Sequence, residues 1–353
     1  MWLRQRRGLC RLLFWTILLV EIINHLVYSS NGVYVHNNTQ KHDDHLRGTR
    51  VDAVVAKDGS GEFRTINGAV NAAPDYSNTR FVIYVKAGVY HENVVVGERK
   101  SNLTIIGDGM DATIVAGNLS YVEGYSLTST ATFAVFGKDF IAQDMGFHNT
   151  AGAARYQAVA LVAAGDRGAF YRCKMVGYQD TLYARSNRQF FRDCAIYGTV
   201  DFIFGDSAAV FQNCTIRPRK PLPGQFNAIT AQGRVDPSSK TGFSFQNCVV
   251  SPAENLAGVK TFLGRPWRNH SRVVFTNTYM HSFIDPNGWV PWSPRDRASP
   301  DTVYYAEFGN YGGGAATAGR VRWKGLHLGM SSEEVSMFSA ESFIDGSSWI
   351  IPR

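Results

Sequence analysis

The chain has 353 residues, 44% of them hydrophobic and 18% charged, with a formal net charge of +7. That is a globular balance with material for a sizeable core, in one large domain or two ordinary ones. With no dense run of lysine and arginine, it argues against nucleic acid as a partner.

Arg4, Arg6, Arg7 and Arg11 precede the apolar run 12–20, which Glu21 interrupts. The run is shorter than the roughly 20 residues needed to span a bilayer, and its basic flank suits a secretory leader. Residues 1–30 are therefore read as a signal peptide cleaved near Ser29 or Ser30, which makes the mature protein secreted and extracellular. An uncleaved anchor that also uses Ile22 to Val27 is the alternative. Residues 31–50 are polar and rich in His and Asn, and read as a linker to a folded region at 51–353. Removing residues 1–30 leaves 32 basic and 28 acidic side chains, about +4. A charge of that size suits a polyanionic partner, or reflects ordinary solvated lysines and arginines.

An amphipathic helix is predicted around Thr65 to Ala73, where Ile66, Ala69, Val70 and Ala73 share one face. Beyond it, short strand-like runs with an aromatic and a polar end recur at Phe140 to Asp144, Ala169 to Cys173, Gln189 to Cys194, Val210 to Cys214, Phe243 to Cys248 and Val273 to Asn277. Such β-rich segments, separated by Gly, Asn and Asp turns, predict a solenoid whose coils each add a strand to parallel sheets. A sandwich or barrel would need tight Asn-Gly or Asp-Gly hairpins between consecutive runs, and none lies in the repeated part. The early helix would then cap the open N-terminal end of the coil.

Cys173, Cys194, Cys214 and Cys248 step by 21, 20 and 34 residues. Pairing of neighbours, Cys173 with Cys194 and Cys214 with Cys248, is expected because each pair would join adjacent coils; buried free thiols are the alternative. Asn37, Asn102, Asn118, Asn213 and Asn269 stand in Asn-x-Ser/Thr sequons, which agree with export. Asn213, inside a strand-like run, is expected to be buried.

Four compact segments carry candidate chemistry: Gln157 to Leu161, Gln179 to Leu182, Asp201 to Gly205 and Leu263 to Trp267. With about 20 residues per coil, Asp180 and Asp201, 21 apart, become neighbours on adjacent coils. Two such carboxyls can hydrolyse an ester if one is ionised and the other protonated. Arg265 is the natural partner for holding one of them ionised, through a bidentate pair. A Gly-x-Ser-x-Gly elbow is absent, as is His-Glu-x-x-His, so neither a serine nor a zinc hydrolase is indicated. No metal or other cofactor is expected.

These segments, together with Val55 to Gly61, Gly88 to Glu92, Gly288 to Trp292 and Ser342 to Ile344, resemble the signature segments of plant pectinesterases (pectin methylesterases), over about residues 50–350. The resemblance implies an all-β, right-handed parallel β-helix that hydrolyses the methyl esters of homogalacturonan in the cell wall. It implies Asp201 as nucleophile, Asp180 as acid and later base, and Gln157 and Gln179 as oxyanion donors. Gln157, Arg265 and Trp267 would contact substrate, Trp267 by packing on a sugar ring. Tyr178, Tyr183, Phe202 and Trp292 are groove candidates for which core packing is as good a reading. The expected form is one without an inhibitor-like pro-region, monomeric and not self-inhibited in cis, with a proteinaceous pectinesterase inhibitor as an expected partner. Where many members carry Thr-Thr-Phe, this chain has Ser126-Leu127-Thr128. A polygalacturonase or pectate lyase on the same scaffold, and a catalytically silent wall-binding protein, are the competing readings.

Overall fold

The computed structural model describes residues 50–296 and 299–350. The signal peptide, most of the linker and Asn37 lie outside the described residues.

One coil illustrates the rest. Arg188–Arg192 runs into Ala195–Gly198, then Ile203–Gly205, and the chain returns one layer further on at Ala208–Gln212. Successive layers pair in parallel, Phe190 with Val210 and Leu182 with Ile203, which repeats the chain every 20 or 21 residues. Three parallel sheets result, of 11, 8 and 7 strands, wrapped as a right-handed parallel β-helix. The 34-residue step from Cys214 to Cys248 is one coil with longer loops at 219–226 and 233–241.

All six strand-like runs fall on the 11-stranded sheet, and their polar ends have a common cause. Asp144, Arg172, Asp193, Asn213, Asn247 and Asn277 are left-handed, with φ between 46° and 57°. Each turns the chain from the first sheet into the second. Asp and Asn tolerate this conformation best. Arg172 is the exception, and its guanidinium is held at 2.7 and 2.8 Å on the Asp144 carboxylate of the preceding coil. Asn213 is accordingly exposed at a turn and not buried in a strand.

Inward-facing rings form a column. Phe170, Phe191, Phe211, Phe245 and Phe275 stack with centroids 4.4 to 4.8 Å apart and planes within 10°. That spacing is the interstrand distance itself, so a β-helix stacks identical side chains without repacking. The predicted helix forms at Ile66–Ala72, with the Thr65 hydroxyl accepting from Gly68 N and the Glu92 carboxylate accepting from the N–H groups of Ile66 and Asn67. Its Ile66, Ala69 and Val70 join the same core as the first strands.

The cysteines differ from expectation. Cys173, Cys194, Cys214 and Cys248 are buried free thiols, and neither expected bridge is formed. Each cysteine follows one of the left-handed turn residues, so the four occupy one position in successive coils. Every thiol then meets the next along the column, Cys173 with Cys194, Cys194 with Cys214 and Cys214 with Cys248, and no pair is singled out. Their Sγ atoms also bond strand carbonyls, Tyr171 O for Cys173 and Phe211 O for Cys248.

Candidate active site

The third sheet has an outer face of Ala134, Val162, Tyr183, Phe204 and Ala231, one residue per coil in register. It is apolar because alternate residues of each strand face outward while Leu161, Leu182 and Ile203 enter the core. On this floor, where the large Phe204 is followed by the small Ala231, lies a cleft of about 330 Å³. Gln157, Gln179, Asp180, Asp201, Arg265 and Trp267 all line it.

Asp180 and Asp201 sit at the turns that enter the third sheet, in left-handed conformation with φ of 62° and 53°. Strand pairing of Leu182 with Ile203 carries the 21-residue offset back to the two aspartates, and Asp180 N donates to Val200 O. Arg265 follows the strand Thr261–Gly264, two coils further on, and reaches back to Asp201. Its Nε donates to one carboxylate oxygen at 2.7 Å and its Nη2 to the other at 2.6 Å. Trp292 covers the guanidinium, 4.2 Å from its ring centroid, and Phe226 flanks it at 5.5 Å.

Both carboxyls are almost fully buried, 7% exposed for Asp180 and 5% for Asp201. Burial pushes both above the ordinary carboxylate range. For Asp201 the hydrogen bonds and charge of Arg265 work against that rise. For Asp180 the charge of Asp201 adds to it, and Asp180 is raised well above its usual value. The two carboxyls thus stand in unequal environments, and only Asp201 is hydrogen-bonded by Arg265. The side-chain amides of Gln157 and Gln179 have no hydrogen-bond partner among the described residues, so both can donate into the cleft.

Trp267 meets Phe204 and Tyr183 edge to face, at 6.1 and 6.5 Å. Gly233 makes room for it, since a Cβ there would lie 2.7 Å from the indole. Of the other aromatic candidates, Trp292 lines the cleft, Phe202 is wholly in the core, and Tyr178 is covered by the Arg219 guanidinium at 3.9 Å. Tyr183 stacks on Phe204 at 4.3 Å and lines a neighbouring cavity. Tyr121 and Phe204 also line the cleft and were not singled out from the sequence, while Leu127 lines it at the departure from the Thr-Thr-Phe pattern. Phe204 was legible from strand alternation after Asp201. Tyr121, in a single 3₁₀ turn, has no periodic signal.

The pectinesterase family model matches residues 52–347. The chain belongs to the pectinesterase family. Pectinesterase/pectinesterase inhibitor 18 of Arabidopsis thaliana is 49% identical over 85% of this chain and 54% of its own length. The pectin methylesterase from carrot superposes with a TM-score of 0.84 at 46% identity, over 86% of this chain and 98% of that one. Pectin methylesterase PemA from Erwinia chrysanthemi gives 0.72 at 27% identity, over 86% and 100%. The chain spans about half the length of the curated pectinesterase relatives it matches.

Proposed function

We propose that this chain hydrolyses the methyl esters of homogalacturonan to pectate and methanol, with Asp201 as nucleophile and Asp180 as acid and base. The observation that supports the reading is the unequal carboxyl pair, Asp201 gripped by Arg265 beside Asp180, which burial and the Asp201 charge push well above its usual range. The Asp201 carboxylate attacks the ester carbonyl, while the amide N–H groups of Gln157 and Gln179 donate to the developing oxyanion. Asp180 gives its proton to the departing methoxide, and methanol leaves an acyl anhydride on Asp201. Asp180, now ionised, takes a proton from water as that water attacks the anhydride. The uronic acid is released and gives its proton to solvent to become galacturonate, while Asp201 regains its charge and Asp180 its proton. Arg265 uses one lone pair on each Asp201 oxygen and leaves others for attack. Trp267 and the Phe204 floor offer flat apolar surface to a sugar ring.

The same reading includes residues 1–30 as a signal peptide, 31–50 as a linker and 51–353 as the catalytic domain, with action as a monomer in the cell wall and a proteinaceous inhibitor as partner. Methanol release from methylated pectin, with the Asp201→Ala protein as control, tests the activity. Methanol from both proteins, or from neither, would sink it. N-terminal sequencing of the exported protein tests the boundary near Ser30.

A further inference from the structure

A second cavity, of about 510 Å³, adjoins the catalytic cleft on the same sheet. That is ordinary size for a ligand site. Its lining includes Phe136, Tyr183, Arg185, Asp166 and Glu98. Tyr183 belongs to this cavity and Phe204 to the cleft, and the two rings stack at 4.3 Å with planes 14° apart. The floor therefore continues from one site to the other, and a polymer lying on Phe204 reaches the second cavity over Tyr183.

The polar groups of this cavity are unequal. Ser186 and Asn187 both spend their donors on Ala164 O. Asp166 is held by Arg188, which donates to its two oxygens at 3.1 and 2.7 Å. Arg185, which follows the strand Leu182–Ala184, is exposed and has no ion-pair partner among the described residues. Its guanidinium lies 5.9 Å from the Phe136 ring centroid and beside the Tyr183 side chain. Glu98, also exposed, is the acid in the lining that has no ion-pair partner among the described residues.

We infer that Arg185 is a specificity-determining residue that binds the free carboxylate of an already de-esterified uronate, while a neighbouring methyl ester occupies the catalytic cleft. This rests on the proposed activity. A uronate carboxyl is ionised at neutral pH and its methyl ester is neutral, so a guanidinium separates the two by charge alone. Glu98 opposes the same carboxylate and sets the strength of the preference.

The test compares methanol release from two homogalacturonans of equal length, one almost fully methylated and one half methylated. Arg185→Met keeps the stem over Phe136 and removes the charge. It should raise KM on the half-methylated polymer about fivefold, the size of one exposed ion pair, with kcat within twofold. KM on the fully methylated polymer should not move. Arg185→Lys should restore part of the loss, and Glu98→Gln should lower KM on the half-methylated polymer only. Equal KM changes on both polymers, or none on either, overturn the inference; melting curves of each variant exclude misfolding as the cause. Should the wild type release no methanol, the activity reading falls alone. Calorimetric binding of unesterified oligogalacturonate then decides the subsite, unchanged affinity in Arg185→Met overturning it.

Discussion

Arg265 holds Asp201 by both carboxylate oxygens, at 2.6 and 2.7 Å, although the two residues stand two coils and 64 positions apart. The pairing opposes the rise that burial imposes on Asp201. Arg265→Lys removes the fork, because an ammonium makes no bidentate pair, and Arg265→Ala removes the charge as well. The Asp201 carboxyl should then titrate higher. Since the active form needs Asp201 ionised, the acid limb of the pH–rate profile should move to higher pH, further for Ala than for Lys. In Arg265→Ala, Asp180 also loses a cation that favoured its ionised form, so the alkaline limb should move the same way. An unmoved acid limb in an active Arg265→Lys protein would assign Arg265 to substrate contact or to support of Trp292.

Asp201→Asn keeps size and fills the same space, but an amide forms no acyl anhydride. Methanol release should fall by at least about a thousandfold, a loss of roughly 4 kcal/mol in transition-state stabilisation. The far-ultraviolet circular dichroism of a β-helix should persist. A tenth of the wild-type turnover would point instead to water activated directly by Asp180.

Much of this architecture is visible in the sequence because a β-helix maps chain length onto height. The recurrence of Phe170, Phe191, Phe211, Phe245 and Phe275 marks the layers, and the 21 residues from Asp180 to Asp201 equal one coil. Arg265 could be named as the partner, but its reach to Asp201 depends on the 34-residue coil between them, whose loops no periodicity describes. The thiols show another limit. Spacing places Cys173, Cys194, Cys214 and Cys248 in one column, yet a column offers each inner thiol two neighbours, so pairing cannot be read from it. Asn213 was misjudged for a related reason: a left-handed turn residue at the end of a run of β-formers looks like part of the strand until φ is known.

The column makes its own prediction. All four thiols are buried, at 0 or 1% exposure, so a bulky reagent does not reach them in the folded chain, and burial also raises Cys173 and Cys214 well above their usual range. Cys173, Cys194, Cys214 and Cys248 should resist a bulky disulfide reagent in the native protein and all react in denaturant. Rapid labelling of the native protein at any of the four would contradict the packing described here.

Gly233 tests the seat of Trp267. A methyl group there would meet the indole at 2.7 Å and must displace it. Because Trp267 covers cleft floor and not the reacting carboxyls, Gly233→Ala should raise KM about tenfold, roughly the cost of overpacking by one methyl, with a smaller change in kcat. A larger effect on kcat than on KM would place Trp267 in the chemistry instead.

Asp180 links activity to stability, and the sign follows from its environment. Burial and the Asp201 charge raise its folded pKa well above the unfolded value of 3.8. Between those two values the folded protein holds a proton that the unfolded chain has released, so stability falls as pH rises through the window. Above the folded pKa the loss is complete, about 1.4 kcal/mol for each unit of displacement. Asp180→Asn removes that titration. The variant should lack methanol release yet melt higher than wild type at pH 7, by about 2 °C or more for each kcal/mol recovered. The gap should narrow steadily as pH falls from 7 towards 4 and close only below about 3, where Asp180 is protonated in the unfolded chain as well. A melting-temperature difference that stays constant from pH 4 to 7 would mean that Asp180 carries no raised pKa, and its role as proton donor would fail with it.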